Sequence, residues 1–322
     1  MLESTYKVLY KFIEYYNFNL INFIFLGFTL VIIVFGSLIN IVESSLPDFL
    51  RQSFRYGKHS FRGSADAFIK YTEVPKSWFK HFYIFAFAWS LLALFFIFKG
   101  FVMKTEAPEL VLTFLDFFAG GQANRKVQVD YTSALVASVL MAIQCGRRCY
   151  ETNFVQIFSK KNKINISHYF VGYTHYFCAI LAIMSNTEGF VRGTLPAFSL
   201  RHISLLKVGC ILIFYYCWTQ QYKSNLILVN LRKDAKSGEV KTEKHLLPIG
   251  GFFNLVSSPH MFFEICMYAA ILGLLPGSTT WLLGFIWVLS NQIANGYLAH
   301  QWYKENFENY PNNRKAIIPY II

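Results

Sequence analysis

Several polar side chains stand inside apolar stretches that leave little room for them. His260 and Glu264 are spaced i, i+4, which places both on one face of a helix. Asn291 and Asn295 repeat that spacing, with Gln292, His300 and Tyr303 on neighbouring turns. A carboxylate, two imidazoles and three amides together offer donors, acceptors and a titratable proton. Upstream, Arg232, Lys233, Lys236, Lys241 and Lys244 form a basic run suited to an anionic phosphate. Within a bilayer, residues of these types also serve to join helices, and a basic loop also follows from the positive-inside bias. Any one residue fits the packing use. The group exceeds what packing needs and favours a polar pocket opening toward the basic side. No GxGxxG follows a strand, and no P-loop, GxSxG or HExxH is present. A nucleotide would therefore be held by helices and loops.

The elements that must position these groups follow from composition. The chain has 322 residues, 54% hydrophobic, 19% aromatic and only 15% charged, with mean hydropathy +0.35. Soluble domains carry about a quarter charged residues, so the bilayer is the expected solvent. A hydrocarbon core of about 30 Å needs about 20 helical residues. Uncharged runs at 20–41, 81–98, 164–187 and 279–303 meet that need, and weaker candidates lie at 131–146, 208–222 and 260–275. The expectation is an all-α integral membrane protein of about seven transmembrane helices, a single membrane-embedded domain over 1–322. The run at 108–121 is broken by Asp116 and Gly120-Gly121 and reads as a re-entrant or interfacial piece. The run at 20–41 exceeds a signal-peptide core and is read as an anchor.

Seven spans place segments 42–78, 147–163, 223–256 and the tail after 303 on one side, holding 20 of the 30 basic residues and 10 of the 18 acids. That side is expected to be the cytosol, with the N-terminus lumenal and the C-terminus cytosolic. The net charge of +12 is thereby a topology signal and not a nucleic-acid one. The six cysteines have no metal-ligand spacing and read as buried thiols. The sequon at Asn165 falls on the cytosolic side and reads as chance.

The C-terminal third carries more than composition. The run Pro248-Ile249-Gly250-Gly251-Phe252-Phe253-Asn254-Leu255-Val256-Ser257-Ser258-Pro259-His260, then Glu264, His300-Gln301-Trp302-Tyr303 and Tyr310-Pro311-Asn312-Asn313-Arg314-Lys315-Ala316, resembles the C-terminal signature of the steroid 5-alpha-reductase family, over 248–322. Within it the chain looks most like the polyprenol (polyprenal) reductase branch. The supporting segments are Arg55-Tyr56-Gly57-Lys58, Val74-Pro75-Lys76, Arg147-Arg148 with Glu151, and Gln221-Tyr222-Lys223 followed by Asn230-Leu231-Arg232-Lys233.

The resemblance implies an enzyme of the endoplasmic reticulum that uses NADPH to saturate the alpha-isoprene unit of a long-chain polyprenoid lipid, on the route to dolichol for protein N-glycosylation. No protein partner is inferable from the sequence, and its His/Cys spacing offers no metal site. A free allylic alcohol has no carbonyl to receive electron density, so polyprenal is the expected immediate substrate. The family pattern places Gln221, Asn225, Arg232, His260, Glu264, Asn295 and Tyr303 around the cofactor, and Tyr303 counts with His300 and Glu73 as an expected catalytic residue. It makes Glu73 the carboxyl that polarises the substrate, where a half-buried acid can hold its proton and donate it in a hydrogen bond. The tyrosine that accompanies this glutamate in steroid reductases aligns with Cys145, beside Gln144. His300, in the His-Gln-aromatic-Tyr motif, is the expected essential histidine, as proton donor or at the nicotinamide. Arg314 is expected to pin the C-terminal tail, while Arg147 and Arg148 fit loop anchors or lipid-phosphate ligands equally.

Three other readings share parts of this pattern. A 3-oxo-5-alpha-steroid 4-dehydrogenase or an enoyl-CoA reductase would use the same cofactor, and an isoprenylcysteine-type methyltransferase would take S-adenosylmethionine instead. A non-enzymatic lipid transporter would line a path with its midplane polar groups, although no inverted repeat is recognisable.

Overall fold

In a computed structural model, residues 2–42, 45–47, 71–159, 162–234 and 236–322 are described. The Arg55-Tyr56-Gly57-Lys58 segment lies outside them. Among the described residues the chain forms nine α-helices: α1 (Leu2–Tyr15), α2 (Leu20–Val42), α3 (Phe79–Met103), α4 (Glu109–Phe118), α5 (Tyr131–Tyr150), α6 (Ile166–Met184), α7 (Leu205–Asn230), α8 (Pro259–Leu274) and α9 (Thr279–Asn306). Each of the seven apolar runs lies on one of these, α2, α3 and α5 to α9. Local chemistry sets their starts. Asp130, Ser204 and Ser278 accept the amide hydrogens of Ser133, Lys207 and Trp281, and Pro259 opens α8, where no helical donor is needed. Asn165 caps α6 by accepting from Ser167 N, so the Asn-x-Ser triplet at that point is a helix start.

Among the described residues two helices are long and apolar enough to cross a bilayer, over Leu20–Ile39 and Lys76–Met103, with mean hydropathy 2.4 and 2.0. Their outward faces are apolar: Phe23, Leu30, Phe95 and Phe98 are each more than half exposed, a surface that water does not favour. Helices α5, α7 and α9 coincide with predicted spans yet fall below that hydropathy because they carry Gln144, Arg147, Gln221, Asn225, Asn291 and His300. At 16 residues, α8 is short. The helix α4, of 10 residues, spans about half the hydrocarbon thickness.

Successive long helices alternate in direction, so the connections sort into two groups. At one end, β1 (Glu73–Pro75) pairs antiparallel with β2 (Lys163–Asn165). There too Arg232 donates to Ile157 O at 2.9 Å, Ser159 to Glu243 at 3.0 Å, and the 315 region lies along Val256. The described parts of the four segments predicted to share a side therefore meet. At the other end, Tyr10 accepts from Gln122 N, Arg192 pairs with Glu109 and Asp116, and Ser199 N donates to Thr132. Within the bundle α6 touches α2, α3, α5 and α9, while α8 packs on α7, α9 and α5.

Two features depart from the expectation. The described residues are not purely helical, because the short β1–β2 ribbon ties the start of α3 to the start of α6. An amphipathic α1, not among the expected elements, precedes the first apolar run and packs through Tyr6 on Phe117 of α4.

Candidate active site

A buried polar network occupies the end of the bundle where α5, α7 and α8 converge. Gln144, Arg147, Arg148 and Glu151 share one face of α5 and of the π-helical turn that continues it over Glu151–Val155. Gln144 Nε2 donates to Gln221 Oε1 at 3.0 Å and to Glu264 Oε2 at 3.2 Å. Gln221 Nε2 donates to the His260 carbonyl at 3.0 Å and also to Glu264. Arg147 donates to Gln144 Oε1 at 2.8 Å, to Gln221 and to Trp218 O, and lies 4.8 Å over the Trp218 ring. Its Nε is 3.3 Å from Glu151 Oε1. Glu151, at 0% exposure, also pairs with Arg148 and accepts from Asn225 Nδ2 at 3.0 Å. Arg148 in turn donates to Tyr83 OH at 3.1 Å. The arrangement satisfies each charge by a partner on another turn or helix, as buried ions require.

A second cluster lies at the same end. His300 Nδ1 is 2.7 Å from Ser257 Oγ and 3.0 Å from Tyr310 OH. The Ser257 and Lys315 backbones are joined by Ser257 N to Lys315 O at 2.9 Å, and Lys315 N donates to Leu255 O at 2.9 Å, so the tail is laced against the 255–257 loop. Arg314, buried, donates to Pro248 O at 3.2 Å and lies 5.2 Å over the Tyr310 ring. Burial lowers the pKa of Arg314 and raises that of Tyr310, against hydrogen bonding and the nearby charge. The tail also seats Ile317 against α9 at Gly296, where a Cβ would meet its side chain at 3.0 Å. Gly250 and Gly251, with φ of 95° and 53°, turn the chain between Pro248 and this loop, a conformation that favours glycine.

The residues singled out in the sequence divide between these clusters. Gln221, Asn225, Glu264 and the backbone of His260 belong to the first. His300 belongs to the second, with Tyr303 stacked on Tyr310 at 6.3 Å and 12°. Arg232 engages His245 at 2.6 Å, and His245 meets Trp302 edge-on at 5.9 Å, which ties the basic loop to α9. Burial lowers the Arg232 pKa, while Tyr303 and Glu243 act to raise it. Asn295 donates to Asn291 O at 2.8 Å on its own helix. Glu73 stands on β1, its side chain 26% exposed, with its carboxylate 3.5 Å from Lys163, whose side chain is 53% exposed. Gln144, Arg147, Arg148 and Glu151 are functional candidates that the structure adds to those expected from the sequence. Their i, i+3 and i, i+4 spacing was the available signal. Cys145, the position aligned with the steroid-reductase tyrosine, is buried, and its neighbour Gln144 makes the polar contacts.

Known proteins resemble this chain over most of its length. The family described as 3-oxo-5-alpha-steroid 4-dehydrogenase matches residues 174–322. The polyprenal reductase of Drosophila melanogaster is 53% identical over 317 residues, covering 98% of this chain and 97% of that protein. That of Caenorhabditis elegans is 30% identical over 269 residues, covering 83% and 85%. Polyprenal reductase 2 of Arabidopsis thaliana is 30% identical over 328 residues, covering 88% and 94%. With the C-terminal signature folded around His300 and the Gln221–Glu264 pair, this chain belongs to the polyprenal reductase branch of the steroid 5-alpha-reductase family.

Proposed function

We infer that the protein is a membrane reductase that saturates the alpha,beta carbon–carbon double bond of a long-chain polyprenal, with NADPH as the reductant. The observation that carries this reading is a buried amide–carboxylate–guanidinium network beside a hydroxyl-held histidine, in a chain 53% identical to a polyprenal reductase. The same reading has seven spans, residence in the endoplasmic reticulum membrane, a lumenal N-terminus, and the site at the cytosolic face. The product would feed dolichol synthesis for protein N-glycosylation.

The donor set suits a dinucleotide. Gln221, Asn225 and Glu264 offer the amide and carboxylate groups that a carboxamide and ribose hydroxyls require. Trp218 Nε1 is buried beside them and has no hydrogen-bond partner among the described residues. Arg232 and the lysines that follow it would meet the phosphates, and His260 and Asn295 would complete the cradle. When bound, the reduced nicotinamide supplies hydride to the beta carbon.

The chain supplies orientation and charge placement. Attack at the beta carbon sends electron density to the carbonyl oxygen, which is why an aldehyde serves and the alcohol does not. His300 is the proposed proton source for the alpha carbon. If Nδ1 accepts from Ser257 or Tyr310, the neutral ring carries its hydrogen on Nε2, away from that pair, and as Nε2 gives that proton Nδ1 would take the Tyr310 hydroxyl proton, so that no imidazolate is left. Tyr303 backs this arrangement through its stack on Tyr310. For Glu73 to donate to substrate, its carboxyl must be protonated and released from Lys163.

Purified protein in detergent, with NADPH and a panel of polyprenal, polyprenol and testosterone, tests the reading by mass spectrometry of the saturated product. Polyprenal is expected to be reduced. Saturation of testosterone alone would overturn the substrate, and no NADPH oxidation with any acceptor would overturn the enzyme reading.

A further inference from the structure

Three helices meet through a histidine that the chemistry above does not use. On α6, His175 Nε2 lies 2.8 Å from the Tyr268 hydroxyl of α8. Its Nδ1 lies 3.1 Å from the indole Nε1 of Trp287 on α9. An indole N–H only donates, so Nδ1 must accept. His175 is therefore neutral with its hydrogen on Nε2, and that hydrogen goes to the Tyr268 oxygen. The phenol is engaged as an acceptor while its own hydrogen remains to be given. Among the described residues, the hydrogen bond to His175 is the only one the Tyr268 hydroxyl makes.

The surroundings of this hydroxyl face the first polar network. Tyr268 follows Glu264 by one turn of α8, so the two share a face of that helix, and it is 2% exposed. Its ring is fixed on the other side by Trp281, stacked at 5.6 Å and 12°. A buried O–H left without an acceptor is costly, because it has given up its hydrogen bond to water. A donor aimed by a single imidazole tautomer, beside the carboxylate and amides proposed to hold the cofactor, suits an oxygen that gains negative charge during reaction.

We propose that Tyr268 donates a hydrogen bond to the carbonyl oxygen of the unsaturated aldehyde, and that His175 is the positioning residue that aims it. This rests on the reading of the chain as an enal reductase. The step is a hydrogen bond only; no proton leaves the phenol. A developing oxyanion accepts more than one donor, so the assignment is independent of Glu73.

Tyr268→Phe keeps the ring and its Trp281 stack and removes only the hydroxyl. Its kcat for polyprenal is expected to fall about 100-fold or more, with the NADPH KM and thermal unfolding close to the parent. Polyprenal bound without NADPH is expected to show a lower carbonyl stretching frequency on the parent than on Tyr268→Phe, read by infrared difference spectroscopy. The Tyr268→Phe/His175→Phe pair is expected to lose no more kcat than Tyr268→Phe alone. His175→Gln, which retains an N–H donor, is expected to exceed His175→Phe in kcat. A Tyr268→Phe rate within about threefold of the parent, or an unshifted carbonyl band, overturns the proposal. If Tyr268→Phe does not fold, equal kcat for His175→Gln and His175→Phe overturns it instead. A parent that shifts the carbonyl band yet never reduces polyprenal would refute the proposed reaction and leave the Tyr268 contact standing.

Discussion

Replacing Glu151 by Gln removes one negative charge from a place where two guanidinium groups depend on it. The carboxylate is fully buried, 3.3 Å from Arg147 Nε and in contact with Arg148, whose side chains are 5% and 14% exposed. At 3.3 Å and an effective dielectric of about 20, one such pair has a gross attraction of about 5 kcal/mol. Desolvation offsets much of that in the intact pair, but removal of one partner leaves the other charge buried and uncompensated, at about 3–5 kcal/mol. Gln keeps the volume and can still accept from Asn225, so the loss isolates charge from packing. At roughly 2–4 °C per kcal/mol, Glu151→Gln should lower the unfolding midpoint in detergent by about 6 °C or more, followed by tryptophan fluorescence. Arg148→Met added to Glu151→Gln should recover part of the loss, because one stranded cation is gone. Since Arg147 also holds Gln144 and Gln221, the NADPH KM should rise in the single variant. A midpoint within about 1 °C of the parent, with no recovery from Arg148→Met, would refute the view that Glu151 balances these charges.

Other outcomes follow from the same geometry. His300→Ala should abolish turnover with normal expression, while Ser257→Ala, which leaves Tyr310 beside Nδ1, should cost about tenfold; steady-state kinetics decide, and a near-normal His300→Ala rate removes that residue from the mechanism. Arg232→Ala should raise the KM for NADPH by more than that for NADH, and equal effects would exclude a contact with the extra phosphate. Asp130→Ala should lose about 1 kcal/mol of helix capping and more from Lys207, which Asp130 meets at 3.0 Å. Burial alone would raise the Asp130 pKa, but bonds from Ser133 and Lys207 hold it below the ordinary carboxylate value. Its stabilisation is present above the unfolded value near about 3.9 and lost as pH falls through the folded one. Parent stability should therefore fall more steeply than that of Asp130→Ala below about pH 4, and parallel melting curves would refute the ion pair.

Much of the fold was legible because a bilayer-sized apolar run needs no tertiary partner to be recognised. All seven runs are helices, and the segments grouped by charge meet at one end. The ribbon was not legible: three-residue strands 90 positions apart carry no periodicity, and Glu73 pairs with Asn165 only because α3 and α6 bring them together. For the same reason, the sequence could not show Lys163 beside Glu73.

The candidate site divides along that line. By itself the sequence determined which residues share a helix face, since the 3.6-residue turn fixes His260 with Glu264 and Gln144 with Arg147 and Arg148. It also determined the family, through motifs whose order and spacing survive without coordinates. Only the tertiary structure decided which faces meet. Gln144 finds Gln221 and Glu264, 77 and 120 positions away, His300 finds Ser257 and Tyr310, and His175 is fixed as one tautomer between Trp287 and Tyr268. The physical reason is that a turn of helix is set by local backbone bonds, whereas the pairing of buried polar faces is set by close packing among helices distant in the chain.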